Sequence, residues 1–344
     1  MRNPLPAKPL TTGIGSLPHP NIDSALQFSF KTDIPFLPQI PIRNPWEYMI
    51  AQALEGVPGL QIEKDGAVLL DLDVWLGRSR AFQEKLDSAF ASKDPDAFSA
   101  FEPSNAASSS WQPFLWELEE GKKQIAKIQL AGPVTSQWVL RLKDGSSAEK
   151  QPEIGDQIFR LVLARAIAMS RRLVQAGITP ILFWDEPGLF AFQRQNPKHL
   201  LAVQQLKLVV QALQKEGVWV GLHCCSDGDW ETILNLGLDI LSIDTKLSLP
   251  SLLKSQPHFE KFLSGGGKMS FGIIPTDRED HWTGLSARQL VQELRTDLEK
   301  TLGKNAEKVL SSSLYTPACG LALTDPNDAE QIADLLKQLP ALVG

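Results

Sequence analysis

Short apolar runs and long amphipathic stretches alternate along most of this chain. The runs at 180–184, 218–222, 240–243 and 269–274 are mostly apolar, and 126–131 and 309–316 continue the series with polar residues interspersed. That is the pattern of strands buried on both faces. Between them, 153–176, 197–216 and 286–302 carry apolar residues at helical spacing, and Gly177 and Gly217 close the first two. A last helical stretch spans 325–342, opened by Asp325-Pro326.

The first third is less regular. Residues 11–17 form a short strand pattern that ends in Gly13-Ile14-Gly15-Ser16. Residues 34–40 form a second, whose Pro35 and Pro38 imply irregular pairing. A helical stretch at 46–54 carries Glu47, and 61–72 reads as a hairpin turning at Lys64-Asp65-Gly66. From about 77 to 123 the pattern loosens into one helical stretch and a Ser-, Ala- and Pro-rich segment, expected to be an insertion or lid. Eight strand patterns alternating with helices predict a (β/α)8 TIM barrel, a single α/β domain over 1–344 with its insertion after the second strand. An open doubly wound sheet is the alternative, but the chain opens with no Gly-rich dinucleotide fingerprint.

Composition narrows the class. The 344 residues are enough for one large α/β domain. A net charge of −6 without a basic patch argues against a nucleic-acid partner. No run approaches the roughly 20 apolar residues of a membrane span, and the start of the chain lacks a secretory signal. Three cysteines, two of them adjacent, make a poor disulfide framework and suit a reducing compartment. The expectation is a soluble, cytoplasmic protein.

A barrel carries its chemistry at the C-terminal ends of its strands. There the pattern places Ser16, Thr135, Asp185, Glu186, His223, Cys225, Asp244, Thr276 and Cys319. His223 and Cys225 are two apart, so on a strand both face one point while Cys224 faces the other side. Imidazole and thiolate together suit zinc. The plainer reading is a buried histidine beside core thiols. Convergence of His223, Cys225, Cys319 and a carboxylate at one barrel mouth favours the metal.

Taken together these pieces resemble the catalytic barrel of cobalamin-independent methionine synthase, in the superfamily that includes uroporphyrinogen decarboxylase. They are Thr11-Thr-Gly-Ile-Gly-Ser-Leu-Pro18, Glu47-Tyr48, Gly132-Pro-Val-Thr135, Asp185-Glu-Pro187, His223-x-Cys225 and Cys319-Gly-Leu321, in the family's order. The resemblance implies a zinc-dependent methyltransferase acting on the thiol of homocysteine to form methionine. It implies His223, Cys225 and Cys319 as zinc ligands. It assigns Asp185 and Glu47 to the acceptor's ammonium, and Ser16 with the Gly15 backbone to its carboxylate. Two bland readings stand beside these: Asp185 as a helix cap and Glu47 as a solvated helix residue. Asp244 stands where the family has a glutamate, one methylene longer, and either binds zinc or supports its ligands. The family's folate-protonating histidine is missing after the seventh strand; His281 is the candidate substitute. The donor is therefore expected to be a methyl-corrinoid, carried by a corrinoid protein, or methyl-tetrahydrofolate. Another small thiol such as coenzyme M is the alternative acceptor, and a superfamily decarboxylase the alternative reaction.

Overall fold

The computed structural model describes residues 3–148, 151–277 and 284–343. Ten strands lie within them: β1 (Leu10–Thr11), β2 (Leu60–Ile62), β3 (Val68–Leu70), β4 (Ile125–Ala131), β5 (Arg141–Leu142), β6 (Thr179–Asp185), β7 (Trp219–Cys224), β8 (Ile240–Asp244), β9 (Lys268–Ile274) and β10 (Leu314–Pro317). Seven of them form one parallel sheet in the order β1-β10-β9-β8-β7-β6-β4. The sheet curls into a barrel-like α/β fold. Helices between the strands cover its outer face.

The strand expected at 34–40 is present only as an extended segment. It makes two isolated bridges, Phe36 to Lys127 and Ser16 to Gln39. Its hydrogen bonds nevertheless reach both sheet edges. Ile34 donates to the Thr11 carbonyl at 3.0 Å and Gln39 to that of Gly15 at 3.0 Å, while Leu37 donates to Lys127 at 2.9 Å and Lys127 to Pro35 at 2.8 Å. Pro35, Pro38 and Pro41 have no N–H to give, so a regular ladder cannot form.

Two cores result. Inside the curl, Leu10, Ile34, Ile181, Phe183, Ile240 and Leu314 pack as one cluster. The far larger outer core lies between sheet and helices and includes Cys224. Glycine has a visible part in the inner one: a Cβ on Gly221 would stand 2.4 Å from the Phe183 ring, so the missing side chain admits that ring.

Several expectations hold locally. The helices Pro152–Gln175 and Pro197–Lys215 are followed by Gly177 and Gly217 at φ 74° and 84°, the left-handed positions that end a helix. β2 and β3 pair as the antiparallel hairpin, and β3 also pairs with β5. Residues 77–123 hold most of the helix Leu72–Ala91 and the whole of Trp111–Glu120, whose Trp111, Phe114, Leu115 and Leu118 are buried. Two further expectations are corrected: of the strand pattern at 11–17 only Thr11 lies in β1, and residues 309–311 are not strand but the end of the helix Asn305–Ser311, with β10 beginning only at Leu314. The run Val309-Leu310 is apolar because a helix face buries it, which a short apolar run cannot distinguish from a strand. Among the described residues no helix is long and apolar enough to cross a membrane.

Candidate metal centre

The parallel register fixes which side chains meet. Asp185 on β6 pairs with His223 on β7, and His223 pairs with Ser242 on β8. All three are buried. Cys225 follows β7 directly, and Cys319 lies two residues beyond β10. The ligand atoms of His223, Cys225 and Cys319 all lie within 4.8 Å of one another, the one such group of metal-capable side chains among the described residues. Cys224, between His223 and Cys225, is buried on the opposite face in the outer core.

The donor set suits a metal ion. His223 Nδ1 lies 3.0 Å from Ser242 Oγ. With Nδ1 carrying the proton and donating to that hydroxyl, Nε2 keeps its lone pair. Nε2 is buried and has no hydrogen-bond partner among the described residues. The neighbouring Cys225 thiol and burial raise Cys319 against the pull of His223, and Cys319 in turn lowers Cys225. Two neighbouring thiols beside a buried imidazole nitrogen form a pocket that a soft divalent cation would complete. Tetrahedral zinc with bonds of about 2.0–2.3 Å needs ligand atoms about 3.3–3.8 Å apart, within the observed limit. Three such ligands would leave a fourth position of a tetrahedral ion open.

Asp244 stays outside this group. It ends β8, and its Oδ1 accepts from the N–H groups of Lys246 at 2.8 Å and Leu247 at 3.1 Å. The carboxylate caps the helix Thr245–Lys254. Its pKa is raised, chiefly by burial, and the N–H groups of Leu247 and Lys246 offset part of that rise.

The proposed acceptor-binding residues divide. Asp185 Oδ1 is buried without a partner, and burial raises its carboxyl to about 6 against the pull of His223 and Lys127. An unpaired carboxylate there is costly unless a cation meets it. Ser16 abuts the Cys319 loop: a Cβ on Gly320 would fall 2.1 Å from Ser16 Oγ, and Leu321 donates to the Ser16 carbonyl at 2.8 Å. Glu47, by contrast, is already engaged. It is buried, accepts from Ile40 N–H at 2.7 Å, and accepts from the hydroxyl and N–H of Ser109 at 2.5 and 3.2 Å. His281 lies outside the described residues.

Ser242 and Lys127 escape the sequence reading, which places Glu186 at a strand end without a role. Ser242 orients His223; its signal was its position two before Asp244 on one strand face. Glu186 anchors the turn after β4, accepting from Val134 N–H at 3.0 Å and from Thr135 N–H at 2.7 Å and its hydroxyl at 2.5 Å. Burial nonetheless raises its carboxyl to about 7. Lys127 is a lone charge in the apolar run of β4, fully buried and lowered to about 8 by that burial. A charge inside a strand buried on both faces was the signal.

By sequence the chain matches no family profile and no curated protein. By structure it is similar to a methyltransferase from Methanosarcina mazei, with a TM-score of 0.57 and 13% identity over 99% of this chain and 96% of that one. At that identity the likeness is one of fold. A GH138 enzyme targeting pectin rhamnogalacturonan II (TM-score 0.30, 12% identity, 73% of this chain, 44% of that one) is too distant to inform either fold or site.

Proposed function

We propose that this protein is a zinc-dependent methyltransferase that methylates the thiol of homocysteine or a similar small thiol, built on a closed (β/α)8 barrel. The observation that carries the reading is the convergence of His223, Cys225 and Cys319 around a buried imidazole nitrogen that has no partner. The named activity of the Methanosarcina mazei protein, which this chain matches over nearly its full length, agrees with it. The same evidence fits an acceptor such as coenzyme M.

Zinc bound there would offer its fourth position to the acceptor's sulfur and lower the thiol's pKa from ~8.5, so that sulfur reacts as thiolate at neutral pH. The protein's own groups do the rest. Ser242 holds the His223 ring in one orientation. Asp185 pairs with the acceptor's ammonium, and Ser16 and the Gly15 backbone face its carboxylate. Glu186 keeps the turn at Gly132–Thr135 in place beside Asp185. Glu47, with both oxygens engaged, joins the 40s segment to Ser109 rather than binding ligand. In the reaction, sulfur forms a bond to the methyl carbon while the donor leaves with the electron pair of its own carbon bond. A corrinoid leaves as Co(I) and needs no proton. An N5-methyl folate leaves as an amine anion and needs a general acid, a contribution of typically ~10²–10⁴-fold.

Two outcomes follow. Zinc-loaded protein with homocysteine should make methionine from methylcobalamin, faster still from a methylated corrinoid protein, and little from methyl-tetrahydrofolate. Parallel assays read this directly. A faster folate reaction that His281→Ala abolishes would reverse the donor assignment. No methyl transfer to any small thiol from either donor would remove the function.

Asp185→Asn should weaken homocysteine binding by about 1.5–3 kcal/mol while zinc content stays the same, because a charge partner is lost and no ligand is. In the unmodified protein, affinity should also fall as pH drops through about 6, where Asp185 takes up its proton. Titration calorimetry across pH measures both. Equal affinity in wild type and Asp185→Asn would take Asp185 out of the site.

A further inference from the structure

The loop Gly13-Ile14-Gly15-Ser16 is tied through three successive carbonyls, each to a different part of the fold. Lys127 Nζ donates to the Ile14 carbonyl at 2.6 Å. Gln39 N–H donates to the Gly15 carbonyl at 3.0 Å, and Leu321 N–H to that of Ser16 at 2.8 Å. Two of these ties are main chain to main chain. The first is a side chain that reaches up from inside the barrel.

That side chain is itself held. Lys127 Nζ donates to Gln129 Oε1 at 3.0 Å and lies 4.8 Å from the Phe183 ring centre. Gln129 in turn donates to the Leu37 carbonyl at 2.8 Å. Gly15 rests against this network so closely that a Cβ there would stand 2.5 Å from Gln129 Nε2. A trans peptide points its C=O and N–H in opposite directions. Fixing the Ile14 carbonyl on Lys127 therefore turns the Gly15 N–H away from the barrel interior. Among the described residues, the N–H groups of Gly15 and Ser16 make no hydrogen bond. Unpaired donors in a buried loop are costly unless a ligand meets them.

From this geometry we infer that Lys127 is a positioning residue for the acceptor's carboxylate, aligning the Gly15 and Ser16 N–H donors through the Ile14 carbonyl. The inference rests on the acceptor reading above and deepens it. The acceptor would be a thiol bearing a carboxylate, and an ammonium buried well beneath the site would organise its recognition without touching it.

The test compares binding of homocysteine with that of homocysteine amide to the zinc-loaded protein. The ratio isolates the carboxylate, because a changed field at Asp185 affects both ligands' ammonium alike. Wild type should prefer the acid by about tenfold or more, as expected of charged hydrogen bonds. Lys127→Met should lose most of that preference at unchanged zinc content. Lys127→Gln keeps a donor for the Ile14 carbonyl without the charge and should restore part of it. If Lys127→Met does not fold, Gln129→Met cuts the same network one link away and should reduce the ratio severalfold. A wild-type protein indifferent to the carboxylate overturns the acceptor reading and this inference with it. A full preference retained in Lys127→Met overturns the inference alone. A preference lost equally in Met and Gln variants assigns the effect to charge and overturns positioning.

Discussion

Replacing Cys319 or Cys225 by serine should strip the metal and leave the fold standing. Protein purified with zinc present should hold about one ion per chain, and each variant much less, because a neutral hydroxyl is a poor substitute for thiolate. Methyl transfer should fall by about 10²-fold or more, since loss even of a group that only orients a ligand costs about 10–100-fold in metal affinity or activity. The fold should survive because both cysteines lie beyond their strand ends and are only partly buried. Ser242→Ala should give the milder loss, since it frees the His223 ring but removes no ligand. Cys224→Ser is the control: it faces the outer core and should keep its zinc while losing some stability. Metal analysis and a thermal melt on each variant decide the matter. Zinc retained by both Cys225→Ser and Cys319→Ser would end the metal assignment.

The largest stability effect should come from Glu186→Ala. This carboxylate is fully buried and accepts hydrogen bonds from the N–H groups of Val134 and Thr135 and from the Thr135 hydroxyl. The Thr135 hydroxyl also accepts from Gly188 N–H at 3.0 Å, so two loops meet at this point. Removing the acceptor leaves buried donors unmade, each costing roughly 1–3 kcal/mol, and opens a cavity besides. A loss of about 3 kcal/mol or more is expected in urea unfolding, with Glu186→Gln losing less because one oxygen remains. Gly132→Ala should damage the same anchor from the other side, because its Cβ would fall 2.1 Å from Glu186 Oε1. A change below about 1 kcal/mol in Glu186→Ala would mean that the turn after β4 does not depend on this residue.

The two predictions test different layers of the molecule. Cys225 and Cys319 belong to the proposed metal site, whose loss the fold should tolerate. Glu186 belongs to the frame that brings Asp185 beside His223. Its neighbour in sequence has the opposite character: Asp185 Oδ1 has no partner, whereas Glu186 accepts at both oxygens. Successive residues at a strand end point to opposite faces, so Asp185 faces the His223 side of the sheet while Glu186 is turned toward Val134 and Thr135.

Much of this was legible in the chain itself. Strand and helix alternation follows from apolar periodicity, and Gly177 and Gly217 ended their helices where left-handed residues were needed. The i, i+2 relation of His223 and Cys225, with Cys224 turned away, follows from strand geometry alone. The site itself required the tertiary structure, because its members come from β6, β7, β8 and the loop after β10 and meet only through parallel register. Register also decided that Ser242 faces His223, and that Asp244, two residues on, spends its carboxylate on a helix N-terminus. Segment 34–40 closes on both sheet edges without becoming a regular strand, because its prolines lack the N–H groups a ladder needs. Lys127 carries the same lesson. Local pattern marks it as a misplaced charge, and only the folded chain brings the Ile14 carbonyl and Gln129 within reach of its ammonium. Periodicity is a property of neighbours along the chain and survives without the fold, whereas a metal pocket is a property of neighbours in space, and the packing of distant strands chooses those.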